Sequence, residues 1–404
     1  MKTASYFGIS ALAVALVPVA IACSDDGRIV GDIDLDASTD HDASTSTPPL
    51  PPDDGGAPIE DAGANDGDAT TDAGDPVPPR TCSDDGWCHT VVPDEQNLRD
   101  VWGDGQGTVW TVSAQGNILR WDGAAWTQHH AAGGALYAVW GSSPTDIWVG
   151  GAMGLLHGTG ATSSSITWSV VESPVPVYSI WGTSANDVWA AGYTAVPASS
   201  YTGGRLLHYS GPPVDADAGT GWEVDPVSTP FPGRYMKVWG TSATDVWLGG
   251  DSTSSRGRVL HRVPDGEGGF TWSAGNQPTS GNFKGAGSIS RTNVFLLGFG
   301  PPETYFTGLS DDDGATFTWT HHDGFKTGFA HNAVWGTGPN DIWLAGHFGR
   351  LRHWDGTSWR IARIALDNLL PVIKTFNAIW GSGTNDVWVV GEGIALHKRP
   401  PEKL

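Results

Sequence analysis

One sequence block recurs along the chain and strongly restricts the folds that it can adopt. The block consists of apolar-Trp-Gly, four variable residues, Asp-(Val/Ile)-Trp, two residues and Gly, and five complete copies begin at Trp140, Trp181, Trp239, Trp335 and Trp380. Two further copies are degenerate. One begins at Trp102-Gly103, and the other has Gly287 in place of the first Trp and Asn293-Val294-Phe295 in place of Asp-Val-Trp. Successive copies are 38, 41, 58, 48, 48 and 45 residues apart, and these spacings are typical of β-propeller blades.

Each copy continues with short apolar segments separated by turn residues. In five copies a segment that ends near a histidine follows the block, and in six copies a Trp after a Gly-rich turn starts another segment. Short alternating runs broken by Gly, Asp and Pro are strand signals. The sequence therefore predicts an all-β, seven-bladed β-propeller with four strands in each blade.

The tryptophans test this assignment because every one of them needs a place in it. Of 21, twelve occupy the two Trp positions of the block, six start last strands, and Trp121 and Trp354 share a third position. The remaining one, Trp87, precedes the first copy, whereas the seventh copy stops after its third strand at Lys398. We therefore expect an N-terminal strand at Trp87 to complete the last blade, which closes the ring and hides both sheet edges.

Residues 1–22 have the pattern of a signal peptide. Lys2 precedes an apolar run from Tyr6 to Ala22 that is short for a membrane span. The sequence Ala20-Ile21-Ala22-Cys23 resembles the bacterial lipobox, although Leu is commoner than Ala at its first position. The resemblance implies an exported lipoprotein, anchored to the outer membrane or cell surface through acyl chains on Cys23. An ordinary signal peptide with an incidental cysteine is the alternative.

The segment at residues 23–80 differs sharply in composition from the rest of the chain. Residues 24–80 hold 15 acidic residues, two arginines and no aromatic residue, a composition that predicts a disordered linker. The propeller is then expected over residues 81–404. The formal net charge of the whole chain is −22, which excludes electrostatic affinity for nucleic acid.

Cys82 and Cys88 flank the expected closing strand. They are the two cysteines that remain if Cys23 is lipidated, and in an exported protein such a pair favours a disulfide. Two free thiols are the alternative.

The segment Ser310–Phe317 matches the pattern Ser-x-Asp-x-Gly-x-Thr-(Trp/Phe). With the Trp-Gly and Asp-Val-Trp repeats, it makes residues 84–404 resemble bacterial exported propellers of this repeat type, and more loosely the Asp-box and tectonin-like propellers. The resemblance implies a propeller fold and no particular activity, because an Asp-box is a device that forms a turn. It assigns five residues to that turn: Ser310, Asp312, Gly314, Thr316 and Phe317.

The sequence contains no Walker loop, Gly-x-Ser-x-Gly elbow, His-Glu-x-x-His or Cys-x-x-Cys motif. Five histidines share one repeat position, and equivalent positions lie around a ring rather than together. We therefore expect no metal and no cofactor, and we expect each histidine to bond a neighbouring backbone. These histidines are His157, His208, His261, His353 and His397.

The loops after the second and last strands vary most between copies, and propellers usually place ligands on that face. Its aromatic, cationic and amide side chains suit a glycan or a protein ligand, although they are equally suited to packing their own loops. The candidates are Tyr193, Tyr201, Arg234, Tyr235, Phe283, Lys284, Tyr305, Phe376 and Asn377.

Two classes of function fit this sequence. The first is a non-enzymatic, monomeric, surface-anchored binding or scaffold propeller. The alternative is a glycan- or peptidoglycan-acting enzyme, a glycosidase or lyase, on the same scaffold. A glycosidase requires two carboxylates at its site, and the variable loops contain few.

Replacing Cys23 with Ser tests the lipid anchor. We expect the variant to move from the membrane fraction to the soluble exported fraction, because buried acyl chains supply the attachment. The measurements are fractionation and labelling with a fatty-acid analogue. Unlabelled wild-type protein, together with a variant that stays in the membrane fraction, would contradict the prediction.

Overall fold

The computed structural model describes residues 81–194, 202–213, 219–278, 283–298, 304–325, 328–366 and 371–399. These residues form seven four-stranded antiparallel sheets. The predicted seven-bladed propeller is confirmed. The proposed signal peptide, Cys23 and the acidic linker lie outside the described residues. No helix in the described ranges is long and apolar enough to cross a membrane.

The strands follow the repeat in chain order, with the first strand of each blade innermost. Blade 1 has β2(Leu98–Gly103), β3(Val109–Ser113), β4(Asn117–Trp121) and β5(Trp126–Ala131). Blade 2 has β6(Leu136–Ser143), β7(Asp146–Gly151), β8(Gly154–Thr159) and β9(Thr167–Val171). Blade 3 has β10(Val177–Ser184), β11(Asp187–Tyr193), β12(Gly204–Tyr209) and β13(Trp222–Val224). Blade 4 has β14(Gly233–Ser242), β15(Asp245–Ser252), β16(Gly257–Pro264) and β17(Phe270–Ser273).

The remaining blades complete the ring. Blade 5 has β18(Phe283–Ser290), β19(Asn293–Gly298), β20(Tyr305–Leu309) and β21(Thr318–His322). Blade 6 has β22(His331–Gly338), β23(Asp341–Gly346), β24(Leu351–Trp354) and β25(Trp359–Ile361). Blade 7 has β26(Phe376–Gly383), β27(Asp386–Gly391), β28(Ile394–Lys398) and, from the other end of the chain, β1(Trp87–Thr90). Short 3-10 helices occupy Pro93–Glu95 and Pro226–Ser228.

Strand β1 closes the ring as the sequence predicts. It pairs antiparallel with β28, with Trp87 opposite Lys398 and Thr90 opposite Ala395. The Trp87 side chain is fully buried and packs edge-on against Trp343 of blade 6, with 5.2 Å between ring centroids. A disulfide joins Cys82 to Cys88 beside this strand, the pairing that the sequence favours.

The repeated tryptophans pack between neighbouring sheets. Trp239 and Trp247 of blade 4 lie in one buried cluster with Phe283 and Leu296 of blade 5. Equivalent clusters join the other blades. Apolar burial is therefore divided among the interfaces of the ring rather than concentrated in one central core.

In five blades an aspartate at the start of the second strand ties three strands together. In blade 4, Asp245 Oδ1 accepts hydrogen bonds from His261 Nε2 at 2.9 Å and Trp247 Nε1 at 3.1 Å, and its Oδ2 accepts from Thr241 Oγ1 at 2.5 Å. Thr241, Asp245 and His261 belong to the first, second and third strands. The His261 ring also stacks on Trp247, with 3.9 Å between centroids.

The same network recurs in four other blades, with His–Asp distances of 2.6 to 2.8 Å. The sets of hydroxyl, aspartate and histidine are Ser142–Asp146–His157, Thr183–Asp187–His208, Thr337–Asp341–His353 and Ser382–Asp386–His397.

The expectation that these histidines bond a neighbouring backbone is wrong. The backbone acceptors beside them already take part in the sheet ladders, so the imidazole N–H finds the aspartate side chain instead. Blades 1 and 5 lack the network, because Thr108 and Asn293 occupy the aspartate position, and Arg120 and Thr307 stand opposite the second-strand aromatic residue where the other blades have histidine.

The Ser310–Phe317 segment forms a hydrogen-bonded turn between β20 and β21. Asp312 accepts from the backbone N–H of Thr316 at 2.8 Å and from its Oγ1 at 2.6 Å, and Ser310 Oγ accepts from Gly314 N at 2.8 Å. Hydrogen bonds from Thr316 and then Ser310 lower the pKa of Asp312 to about 2. Phe317 is buried against Trp247. The segment therefore has a structural role in joining blades 4 and 5.

Deleting residues 81–92 tests the closure. We expect a loss on the order of 5 kcal/mol in the free energy of unfolding, because truncating one buried tryptophan alone costs about 3–5 kcal/mol and the edge of β28 becomes exposed. Thermal unfolding is the measurement, and deletion of residues 24–79 is the control, which should leave Tm unchanged. Equal effects of the two deletions would contradict the closure model.

Replacing Asp245 with Asn tests the aspartate network. Burial opposes a lower pKa for Asp245, but hydrogen bonds from His261 and Thr241 outweigh it and the net pKa is lowered. The folded pKa therefore lies below the unfolded one, so the stabilisation is present above about pH 4 and is lost as pH falls through the folded pKa. We expect Asp245→Asn to cost about 2 kcal/mol at neutral pH and progressively less in acid.

Urea unfolding across this pH range measures the effect. Asp386→Asn is the matched control, because Asp386 likewise accepts from a hydroxyl and a histidine but its side chain is 36% exposed, against 1% for Asp245. The control should lose less stability. An Asp245→Asn penalty that does not change with pH would contradict the assignment.

Candidate ligand-binding site

Each innermost strand carries a β-bulge near its start. In blade 1, Leu98 pairs with Ser113 and Asp100 with Val112, so Arg99 is skipped in the pairing. A bulge bends the strand and re-aims the side chain of the extra residue. The skipped residues of the seven blades are Arg99, Tyr137, Tyr178, Met236, Lys284, Asn332 and Asn377.

A cavity of about 420 Å³ opens where these residues converge. Five of its eight lining residues are bulge residues, contributed by blades 1, 2, 5, 6 and 7. Blades this far apart in the ring meet at its axis, so the cavity lies at one mouth of the central channel. The lining residues are Arg99, Tyr137, Lys284, Asn332, His347, Thr375, Asn377 and Glu392.

The cavity lining carries more cationic than anionic groups. Arg99 and Lys284 are exposed there, His347 adds an imidazole, and Glu392 is the single carboxylate among the eight residues. Asn332 and Asn377 contribute amides. Such a mixture attracts an anionic group and can hold it by hydrogen bonds.

A row of tyrosines leads from the cavity across blades 2 and 3. Tyr137 stacks on Tyr178 at 4.7 Å, and Tyr178 stacks on Tyr193 at 4.5 Å, both with 15° between ring planes. The guanidinium of Arg234 lies 5.4 Å from the Tyr193 ring centroid. Arg234 Nη2 donates to Asp251 Oδ2 at 2.6 Å, which fixes this cation at the end of the row.

One residue further along the innermost strands, two opposite charges interact in the channel. Asp100 of blade 1 accepts hydrogen bonds from Val101 N and Val139 N, each at 3.0 Å. Burial raises the pKa of Asp100 to about 6, against the opposing effect of Lys237 in blade 4. Burial likewise lowers the pKa of Lys237, against the attraction of Asp100. These two charges balance, so the excess positive charge comes from the cavity lining.

The structure divides the sequence-predicted ligand residues into two groups. Lys284 and Asn377 line the cavity, and Tyr193 and Arg234 form the far end of the tyrosine row. Asn377 is also held in place, because its Nδ2 donates to Leu98 O at 2.7 Å. Tyr201 lies outside the described residues.

Four of the predicted ligand residues are core residues instead. Tyr235, Phe283, Tyr305 and Phe376 are at most 6% exposed, so they are not surface contacts. Tyr235 donates from its hydroxyl to Phe231 O at 2.8 Å. The other three pack against ring or aliphatic side chains of the blade interfaces. A loop adjoins each of these positions, but the strand beside the loop places an apolar side chain there that packs into the blade interface.

Sequence reasoning missed most of the cavity. Arg99, Tyr137, Tyr178 and Asn332 occupy the position three residues before the first Trp of the block. That position varies widely in character between copies, whereas the position before it is aliphatic or aromatic in six of the seven. A variable position inside a regular repeat is the signal that could have identified the ring.

No group of three or more metal-ligating side chains occurs in the part of the chain that the structure describes. Hydrogen bonding and charge are therefore the chemistry that this cavity offers.

No family model and no curated protein matches the sequence. Similar solved structures are propellers. YCF48 bound to a D1 peptide is 16% identical with a TM-score of 0.57, over 80% of this chain and 99% of that one. The extracellular domain of BT4673 from B. thetaiotaomicron is 14% identical with a TM-score of 0.56, and the match covers 77% of this chain and 40% of that one. Virginiamycin B lyase from Staphylococcus aureus is 13% identical with a TM-score of 0.55, and the match covers 77% of this chain and 97% of that one. At these identities the likeness shows the fold alone.

Proposed function

We propose that this chain is an exported binding propeller that holds an anionic segment of a partner protein at the channel mouth. The cavity that contains Arg99, Lys284 and His347 carries the proposal. It is concave, it lies on the propeller axis, and its polar groups converge from five blades. Such sites are the preferred ligand sites of folded proteins.

The charge distribution supports an anionic ligand. The chain as a whole has a formal net charge of −22. A cavity lined by two exposed cations is therefore opposite in charge to the molecule as a whole. A local cationic site in an acidic protein directs anionic groups to that site and disfavours binding elsewhere.

A partner protein is favoured over a small anion by the residues around the cavity. Tyrosine and arginine dominate the contacts of the row beside it, and these residues contribute most to protein–protein binding energy. A similar structure is that of YCF48 bound to a D1 peptide, which supports a peptide or protein as the ligand.

The alternative of a glycan- or peptidoglycan-acting glycosidase finds less support at this cavity. That chemistry uses two carboxylates about 5–10 Å apart. Glu392 is the single carboxylate among the lining residues, and Asp100 is held by two backbone N–H groups within the channel wall.

The proposal places the propeller outside the cytoplasm. The lipobox-like sequence at Cys23 supports a lipid anchor at the outer membrane or cell surface, and residues 23–80 would then link the anchor to the propeller. The similar extracellular domain of BT4673 is consistent with export.

Replacing Lys284 with Glu tests the site. We expect binding of fluorescein-labelled hexaglutamate to weaken at least about tenfold, equivalent to about 1.4 kcal/mol, because an attractive charge in the cavity becomes repulsive. Fluorescence anisotropy at low and high ionic strength measures this, and high salt should reduce the wild-type affinity.

Arg360→Glu is the matched control, since Arg360 is 73% exposed on the outer strand of blade 6 and pairs there with Asp355. It makes the same change in net charge away from the channel. The proposal fails if wild type does not bind the probe or if both variants lose affinity equally.

A further inference from the structure

We propose that the ligand is a linear acidic peptide with two separated acidic groups, which spans from the cavity along the tyrosine row to the arginines of blades 3 and 4. The inference rests on the proposed function and specifies its ligand. It adds a second contact region at the far end of the tyrosine row, and binding at the cavity does not depend on that region.

The tyrosine row is a continuous surface between the two regions. Tyr137 lines the cavity and begins the row. The successive contacts from Tyr137 to Tyr178, Tyr193 and Arg234 measure 4.7, 4.5 and 5.4 Å between group centres. The row therefore spans at most about 15 Å from end to end, a length that an extended chain covers with about four or five residues at about 3.3 Å each.

Arg234 lies over Tyr193 at the far end of the row, and two further arginines occur on the strands next to it. Arg234 is fixed by Asp251, and Arg258 lies one pairing step away on the neighbouring strand, opposite Gly250. Arg258 Nη1 donates to Pro232 O at 3.1 Å. Arg205 stands opposite Gly192, beside Tyr193, and donates to Gly204 O at 2.7 Å. The Arg205 and Arg258 guanidinium groups each have five N–H donors, so one bond to a carbonyl positions the group and still permits a carboxylate contact.

The stacking geometry favours a peptide over a sugar. A sugar ring packs on an open aromatic face, but Tyr178 is covered on one face by Tyr137 and on the other by Tyr193. Tyr193 is covered by Tyr178 and by the Arg234 guanidinium. The row therefore presents ring edges and hydroxyl groups, which suit the amides and side chains of a peptide.

The Tyr178 hydroxyl at the centre of the row remains a donor across the physiological range. Burial, followed by the neighbouring Tyr193, raises the pKa of Tyr178 to about 12. Tyr178 is thus neutral at any pH at which an acidic peptide is charged, and it does not repel the ligand.

Two labelled, C-terminally amidated peptides of equal composition test the inference. In the spaced isomer, Glu-Glu-Gly-Ser-Gly-Glu-Glu, the acidic pairs lie far enough apart to reach both regions. In the clustered isomer, Gly-Ser-Gly-Glu-Glu-Glu-Glu, they do not. We expect wild type to bind the spaced isomer about tenfold more tightly, because a second tethered contact adds at high effective concentration.

The variants Arg258→Gln and Tyr178→Ala should each reduce the ratio of the two affinities, spaced over clustered, to about one. Tyr178→Phe keeps the stacked rings and should retain most of the ratio. Arg360→Gln is the control on the outer strand and should leave the ratio unchanged. Tm confirms that each variant is folded. Lys284→Glu should weaken both isomers together.

The outcomes separate the two proposals. Equal binding of both isomers, with Lys284 dependence intact, overturns the spanning peptide and leaves the cavity site. A ratio that persists in folded Arg258→Gln and Tyr178→Ala also overturns it. Loss of Lys284 dependence for every probe overturns the proposed function itself. An oligogalacturonate that binds more tightly than either peptide, and loses affinity in Tyr178→Ala, assigns the row to a polysaccharide instead.

Discussion

The aspartate carboxylate at the start of the second strand is the interaction that ties the first three strands together in five of the seven blades. Backbone pairing joins these strands two at a time, whereas one carboxylate contacts side chains of all three. It accepts from a hydroxyl, a histidine and in places an indole. The histidine then stacks on the buried Trp, so the polar network and the apolar interface stabilise each other.

The structural roles of the repeated residues explain which positions can vary. In the block, the Trp side chains pack between blades, the Gly residues permit close contact between strands, and the Asp side chains accept hydrogen bonds. At Gly240, for example, a Cβ would lie 2.2 Å from Asp245 O and 2.7 Å from the Trp181 ring. The bulge position lies outside the aspartate network and the fully buried clusters, although Asn332 and Asn377 each donate to a carbonyl of the next blade. It is Arg, Tyr, Met, Lys or Asn in different blades, and five of the seven such residues line the cavity at the axis.

The sequence was sufficient for the fold because the tryptophans and spacings repeat a local pattern seven times, and because Trp87 had no other place. It was insufficient for the site because bulges are set by pairing between strands, which a linear pattern does not display. The same limit explains why Tyr235, Phe283, Tyr305 and Phe376 were misassigned, since a residue at a loop boundary is buried or exposed according to its neighbouring blade. It also explains the histidines, whose acceptor lies on another strand.

The pairing of β1 with β28 has a consequence for how the chain is made. Thr90 donates to Ala395 O across 305 residues of sequence, so the first strand to leave the ribosome has its partner among the last. Blades 1 to 6 can assemble one after another during synthesis or translocation, but blade 7 stays incomplete until the end. A chain that stops early leaves the nascent β1 without a partner, and unpaired strands invite association with other chains. Pairing of β1 with β28 is thus the step that closes the ring.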